Sequence, residues 1–229
     1  MDFGKPALLT DRVAVFDDVF DADYAAELLD WVGSSGFQSV HAAPGGGRFW
    51  RIHDGAPLMG PRAPMPGPPV LDRFCKLVSS ARDHEPLCAV VGEHAGVSFC
   101  PWVYPPGSGI SLHEDKQGGA GSYIYFAHPE WRPHWGGLLC ALDRETPSCT
   151  DLTPWLDDRE ESRRALSPGH GVFIFPKPNR LVLMAPDVLH FMTRVQHTNR
   201  ISISGFFTTQ PPRAGGGFDT SQIVWLEPD

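Results

Sequence analysis

Residues 199–207 read Asn-Arg-Ile-Ser-Ile-Ser-Gly-Phe-Phe, and their strict alternation decides the fold class. Successive side chains of a strand point to opposite faces of the sheet. Ile201 and Ile203 therefore share one face, while Arg200, Ser202 and Ser204 share the other. Seven more short runs lie upstream, at 97–104, 109–115, 121–127, 137–142, 171–175, 180–184 and 188–195. Each is rich in β-branched or aromatic residues, and Pro/Gly turns separate them. Strands of this length and spacing predict a sandwich or jelly roll.

The first third of the chain reads differently. Val13-Ala14-Val15-Phe16 is a short apolar run fit for a strand, and Asp21 stands as an N-cap before Tyr24, Leu28, Leu29 and Trp31 at helical spacing. Pro68-Pro69 opens a second helical pattern through Val70, Leu71, Phe74, Leu77, Val78 and Ala81. Residues 43–69 carry Gly45-Gly46-Gly47 and many prolines and are expected to be loop. The polar stretch 145–170 reads as a long excursion, and 209–217 as a loop before Ile223-Val224-Trp225. The expectation is a single domain over 1–229, mainly β (α+β). Its helical and loop part covers about 1–87, and a double-stranded β-helix (jelly roll) core covers about 88–208.

Composition narrows the class. The 229 residues suffice for one well-buried domain. A formal net charge of −8 without a basic stripe argues against a nucleic-acid partner. Five cysteines, widely spread and without a C-x-x-C pair, form neither a disulfide framework nor a zinc ribbon. No stretch approaches the roughly 18 apolar residues that cross a bilayer, and the amino terminus lacks a signal-peptide layout, so no membrane and a cytoplasmic location are expected.

The chemistry centres on Ser111-Leu112-His113-Glu114-Asp115. In a strand, His113 and Asp115 share a face, where an imidazole and a carboxylate can chelate one metal ion. A jelly roll brings distant strands side by side, so His190, in Val188-Leu189-His190-Phe191-Met192, is the candidate third ligand. Two histidines and one carboxylate form the facial triad of non-haem iron(II) oxygenases, which leaves coordination positions open for a 2-oxo acid and dioxygen. Arg200 lies ten residues after His190; a guanidinium inside a barrel calls for a planar anion such as a carboxylate. Ser202, on the same face, can add a hydroxyl.

Together these residues resemble the prolyl-4-hydroxylase-like 2-oxoglutarate/Fe(II)-dependent dioxygenases. The family's H-x-D, distal histidine and Arg/Lys ten residues on are matched by His113, Asp115, His190 and Arg200. Tyr104 stands nine residues before His113, where the family commonly has a tyrosine that hydrogen-bonds 2-oxoglutarate. Phe126-Ala127-His128-Pro129-Glu130-Trp131 followed by Gly136-Gly137-Leu138-Leu139 looks like the family's Tyr-Leu-Asn, Trp and Gly-Gly-x-Leu stretch. The resemblance covers about 97–208. It implies Fe(II) on His113, Asp115 and His190, with 2-oxoglutarate anchored by Arg200, Tyr104 and Ser202. With O2, these would hydroxylate an unactivated C–H bond of an amino acid, peptide or amino-acid-derived natural product. The departures, His128 for asparagine, Phe126 for tyrosine and Leu138-Leu139 after the glycines, bear on the substrate.

Substrate contacts are expected among His128, Tyr123, Tyr125 and Arg194. Tyr123 and Tyr125 share a strand face and either line the pocket or pack. Gly136-Gly137 is expected mainly to permit a tight turn. His41, His53, His84 and His94 have no partners in the sequence. Two other readings remain: a cupin-like metal enzyme that does not use 2-oxoglutarate, which would not need Arg200, and a non-catalytic jelly-roll binding module.

Overall fold

The protein is described by a computed structural model over residues 3–42, 50, 52–61, 63–64, 69–115, 119–142 and 170–209. Most of the stretches read as the 145–170 excursion and the 209–217 loop, and all of Ile223-Val224-Trp225, lie outside these residues. Two antiparallel sheets form the core. The larger runs β1 (Leu8–Leu9), β2 (Val13–Phe16), β11 (Arg180–Met184), β8 (Gly119–Phe126), β13 (Arg200–Thr208), β6 (Gly96–Tyr104), β4 (Leu58–Met59), β3 (Gln38–Ser39), with β5 (Ala63–Pro64) also on β6. The smaller runs β10 (Gly171–Ile174), β9 (Leu139–Leu142), β12 (His190–Met192), β7 (Ile110–His113). This is the expected jelly roll.

Three helices cover the outer face of the large sheet. Helix α1 spans Ala22–Ser34, and the Asp21 carboxylate caps it by accepting from the Tyr24 N–H at 3.0 Å. Helix α2 spans Asp72–Ser79 and buries Phe74, Cys75, Leu77 and Val78. Helix α3, Glu85–Val91, occupies a stretch where the sequence pattern gave no helix. Leu28, Val32, Phe74, Leu77 and Val91 pack on Tyr123, Tyr125, Leu181, Leu183, Ile203 and Phe207 from the sheet. At about 25 cal/mol per Å2 of apolar area, this layer supplies much of the driving force for folding.

The alternation read at 199–207 thus has a definite outcome: Ile201, Ile203 and Phe207 face the helices, and Arg200, Ser202 and Ser204 face the space between the sheets. Across β6 the partners on that inner face are Tyr104, Trp102 and Cys100, in register with Arg200, Ser202 and Ser204. The segment expected to be pure loop contributes more than that, since β4 pairs Leu58 with Val103 and Met59 with Trp102. Asn179, in the left-handed region at φ 59°, secures the other flank. Its side chain accepts from the Phe20 N–H and donates to the Phe20 carbonyl at 2.6 Å.

Candidate active site

His190 and His113 are direct cross-strand partners at the edge of the smaller sheet. Opposed residues in antiparallel strands hold their Cβ atoms about 5 Å apart, and the two rings sit with centroids 4.1 Å apart. Asp115, two residues past the end of β7, completes the group: its oxygens lie 3.7 Å from His113 Nε2 and 3.5 Å from His190 Nε2. All three ligand atoms fall within 4.8 Å of one another. A first-row dication held about 2.1 Å from each fits among them with small side-chain adjustment.

The tautomers suit a metal. His113 Nδ1 donates to the Ser111 carbonyl at 2.8 Å, and His190 Nδ1 donates to the Val188 carbonyl at 2.9 Å. Each Nε2 is thereby left as a lone pair facing the other ligands, the arrangement in which a backbone acceptor orients a metal-binding imidazole. Burial, with His113 beside it, holds the His190 imidazole below its ordinary range despite the pull of Asp115. That favours the neutral, ligating form. His113 and Asp115 side chains are each 18% exposed, so solvent and small molecules reach the group from one side.

The opposite wall carries Arg200, 1% exposed. Its guanidinium lies over the rings of Phe126 and Tyr104, with Cζ 4.7 and 5.2 Å from their centroids. Its Nε and Nη2 have no hydrogen-bond partner among the described residues. Desolvation brings its pKa down to about 10, which still leaves it cationic at neutral pH. A buried charge without a counter-charge costs several kcal/mol, so this wall is built for an anion. Gly137 makes the room: a Cβ there would stand 3.0 Å from Arg200 Cδ and 3.2 Å from Trp131 Cζ2. The Gly-Gly pair therefore does more than turn the chain. Gly136 has φ 72°, and a side chain there would collide with the Arg194 carbonyl. Tyr104 and Ser202 are buried beside Arg200 on the same face.

No family model and no curated protein sequence matches the chain. Solved structures do. A prolyl-4-hydroxylase from Pseudomonas putida superposes with a TM-score of 0.58 at 15% identity, over 86% of this chain and 92% of the other. A Trichoplax adhaerens prolyl hydroxylase, bound to a hypoxia-inducible-factor oxygen-degradation-domain peptide, gives 0.58 at 16% identity over 87% and 84%. HygX from Streptomyces hygroscopicus, with nickel, 2-oxoglutarate and hygromycin B, gives 0.54 at 14% over 86% and 83%. The chain has the prolyl-hydroxylase-type oxygenase fold.

Within that fold, the expected substrate contacts separate. Tyr123 and Tyr125 point to the helices: the Tyr123 hydroxyl donates to the Ser98 carbonyl at 2.7 Å, and that of Tyr125 to Asn179 Oδ1 at 3.2 Å. They are core residues, because odd positions of β8 face the helical layer. His128 is 2% exposed; its Nε2 donates to the Pro176 carbonyl at 2.5 Å, and its Nδ1 accepts from the Ile201 N–H at 3.4 Å. Both ring nitrogens are thus taken by backbone groups, and burial pushes its imidazole down to about 4. Arg194 falls beyond the end of β12 and donates from Nη2 to the His53 carbonyl at 2.9 Å. His53, which has no partner in the sequence, lies beside the metal group. Its Nε2 meets Ser111 Oγ at 2.8 Å, and Ser111 donates to Asp54 Oδ1 at 2.5 Å. His41 and His94 also have partners, the carbonyl of Gly55 for the first and those of Gly92 and Ser79 for the second. The signal for Asp54 was a lone carboxylate within a Gly/Pro-rich segment, which spacing could not connect to Ser111.

Proposed function

We propose that the chain is an Fe(II)- and 2-oxoglutarate-dependent dioxygenase that hydroxylates an unactivated C–H bond of an amino acid, a peptide or an amino-acid-derived natural product. The observation that carries this reading is the buried guanidinium of Arg200, whose Nε and Nη2 have no hydrogen-bond partner among the described residues, on the wall opposite the His113, Asp115 and His190 group. A cupin-like metal enzyme that does not use a dicarboxylate has no use for that charge. A binding module has no use for two imidazoles held in the ligating tautomer.

In this reading His113 and His190 bind Fe(II) through Nε2, and Asp115 binds it through its carboxylate. Iron with 2-oxoglutarate and O2 supplies the oxidising power, leaving succinate and carbon dioxide as co-products. The chain's own contribution is position and charge. Arg200 takes the distal carboxylate of 2-oxoglutarate, with Tyr104 and Ser202 at its sides. Asp115 balances the dication, and the apolar inner walls keep bulk water from the anion. The peptide option is supported by the company of the fold, where one neighbour was solved with a peptide.

Anaerobic titration of the apoprotein with Fe(II) and then 2-oxoglutarate tests the reading. A weak visible charge-transfer band should grow to one equivalent of each and fail to form in Arg200→Ala, which still binds iron. An unchanged band in that variant would remove Arg200 from the site and the proposal with it.

A further inference from the structure

Arg200 is not the sole orphan donor on the inner wall. The indole Nε1 of Trp102, a residue 6% exposed, has no hydrogen-bond partner among the described residues. A buried indole N–H nearly always finds an acceptor, and leaving one unmade has a real cost. A phenylalanine would fill most of that space without an unmade hydrogen bond. Its described apolar neighbours are Val40, Cys100, Tyr104, Met192 and Val195, with Trp50 and Met59 alongside.

Its position links it to Arg200. Trp102 is the register partner of Ser202, one step along β6 from the Tyr104–Arg200 pair. Its ring stacks on Tyr104, centroids 5.8 Å apart at 17°, and the Tyr104 ring in turn lies 5.2 Å from Arg200 Cζ. Phe126 flanks Ser202 from the other side and brings no polar atom. The other buried orphan donors among the described residues, on Arg12 and Ser122, sit near Met184 at the far end of the sheet. Ser122 is four residues from Phe126, about 13 Å along the strand. The orphans of Arg200 and Trp102 thus form a local pair. An indole donates and cannot accept, so what joins them is an acceptor: an anion.

We propose that the Trp102 indole N–H donates to the same carboxylate that Arg200 holds, so that 2-oxoglutarate is gripped by a guanidinium and an indole together. This rests on the reading of the site as one for 2-oxoglutarate. Trp102 would then be a co-substrate-binding residue that sets affinity and leaves metal binding untouched.

Zinc-loaded protein, redox-inert and diamagnetic, permits a direct test. In a 15N-labelled sample, the assigned Trp102 indole resonance should move downfield on adding 2-oxoglutarate and stay in place on adding pyruvate, which has no distal carboxylate. Trp102→Phe should bind 2-oxoglutarate about tenfold more weakly by calorimetry, with zinc affinity unchanged. An indole resonance indifferent to 2-oxoglutarate, or one that pyruvate moves equally, would overturn the proposal even if the variant proved too unstable to assay. If the resonance stays still while 2-oxoglutarate binds, this inference alone falls. Absence of any 2-oxoglutarate binding to the wild type would remove the functional reading and this inference with it.

Discussion

The two faces of β13 make opposite bargains with the same backbone. Outward, Ile203 and Phe207 close against the helices with Tyr123, Phe74 and Leu77, and the Tyr24, Tyr123 and Tyr125 hydroxyls donate to Val70, Ser98 and Asn179 oxygens. Inward, Arg200 is as deeply buried as those apolar residues, yet its Nε and Nη2 find no hydrogen-bond partner among the described residues. The outer face is finished by folding alone. In the proposed reading an arriving anion finishes the inner face, at a cost to the stability of the empty protein. Stability and function can therefore be separated by mutating one face or the other.

Damage to the outer face should separate them most strongly. Phe74→Ala removes a fully buried ring that packs 5.7 Å from Tyr123 and 5.5 Å from Tyr125. We expect a loss of about 3–5 kcal/mol in urea-induced unfolding. Metal and 2-oxoglutarate affinity of the remaining folded protein should be unchanged. A matching loss of affinity would mean that the two faces are not independent.

A second handle is pH. His128 bridges the two regions, since its ring joins Ile201 to Pro176 beside the Arg200 wall. Burial holds it neutral with a folded-state pKa of about 4, against an ordinary 6.5. Between those values the unfolded chain binds a proton that the folded chain refuses, so stability is full above pH 6.5 and declines as pH falls toward 4. The loss should total roughly 3 kcal/mol for this group. In the metal-free protein His190 acts in the same direction. His128→Gln should flatten the stability profile in that window, and an unaltered slope would assign the titration elsewhere.

The smallest effect is expected at the glycine that gives Arg200 its space. Gly137 has φ 66°, and a methyl group there would press on Arg200 Cδ. Gly137→Ala should lower stability by about 1 kcal/mol and weaken 2-oxoglutarate binding a few-fold with metal binding intact. If stability alone responds, Gly137 serves only the turn.

How much of this was legible in the sequence follows from the same two faces. The strands at 180–184 and 200–208 and the cap at Asp21 were readable because alternation and capping are local patterns. His113, Asp115, His190 and Arg200 were readable because the chemistry demands those residue types, and the structure brings the first three together. Tyr123 and Tyr125 were not assignable, since a sheet buried on both faces is apolar on both and alternation loses its sign. Helix α3 is seven residues long, too short to show a period. His53, Asp54 and Ser111 meet across 57 and 58 residues, and no local pattern encodes that meeting. The orphan on Trp102 and the space at Gly137 exist only in three dimensions.

In the proposed reading the inner face is left incomplete for an anion at Arg200. The most direct test of this is a paired measurement on Arg200→Met, an apolar replacement for the buried cation. The empty variant should melt no lower than wild type, and up to a few degrees higher, while 2-oxoglutarate affinity falls at least about 30-fold. A variant that is strongly destabilised yet binds 2-oxoglutarate as well as wild type would contradict this reading.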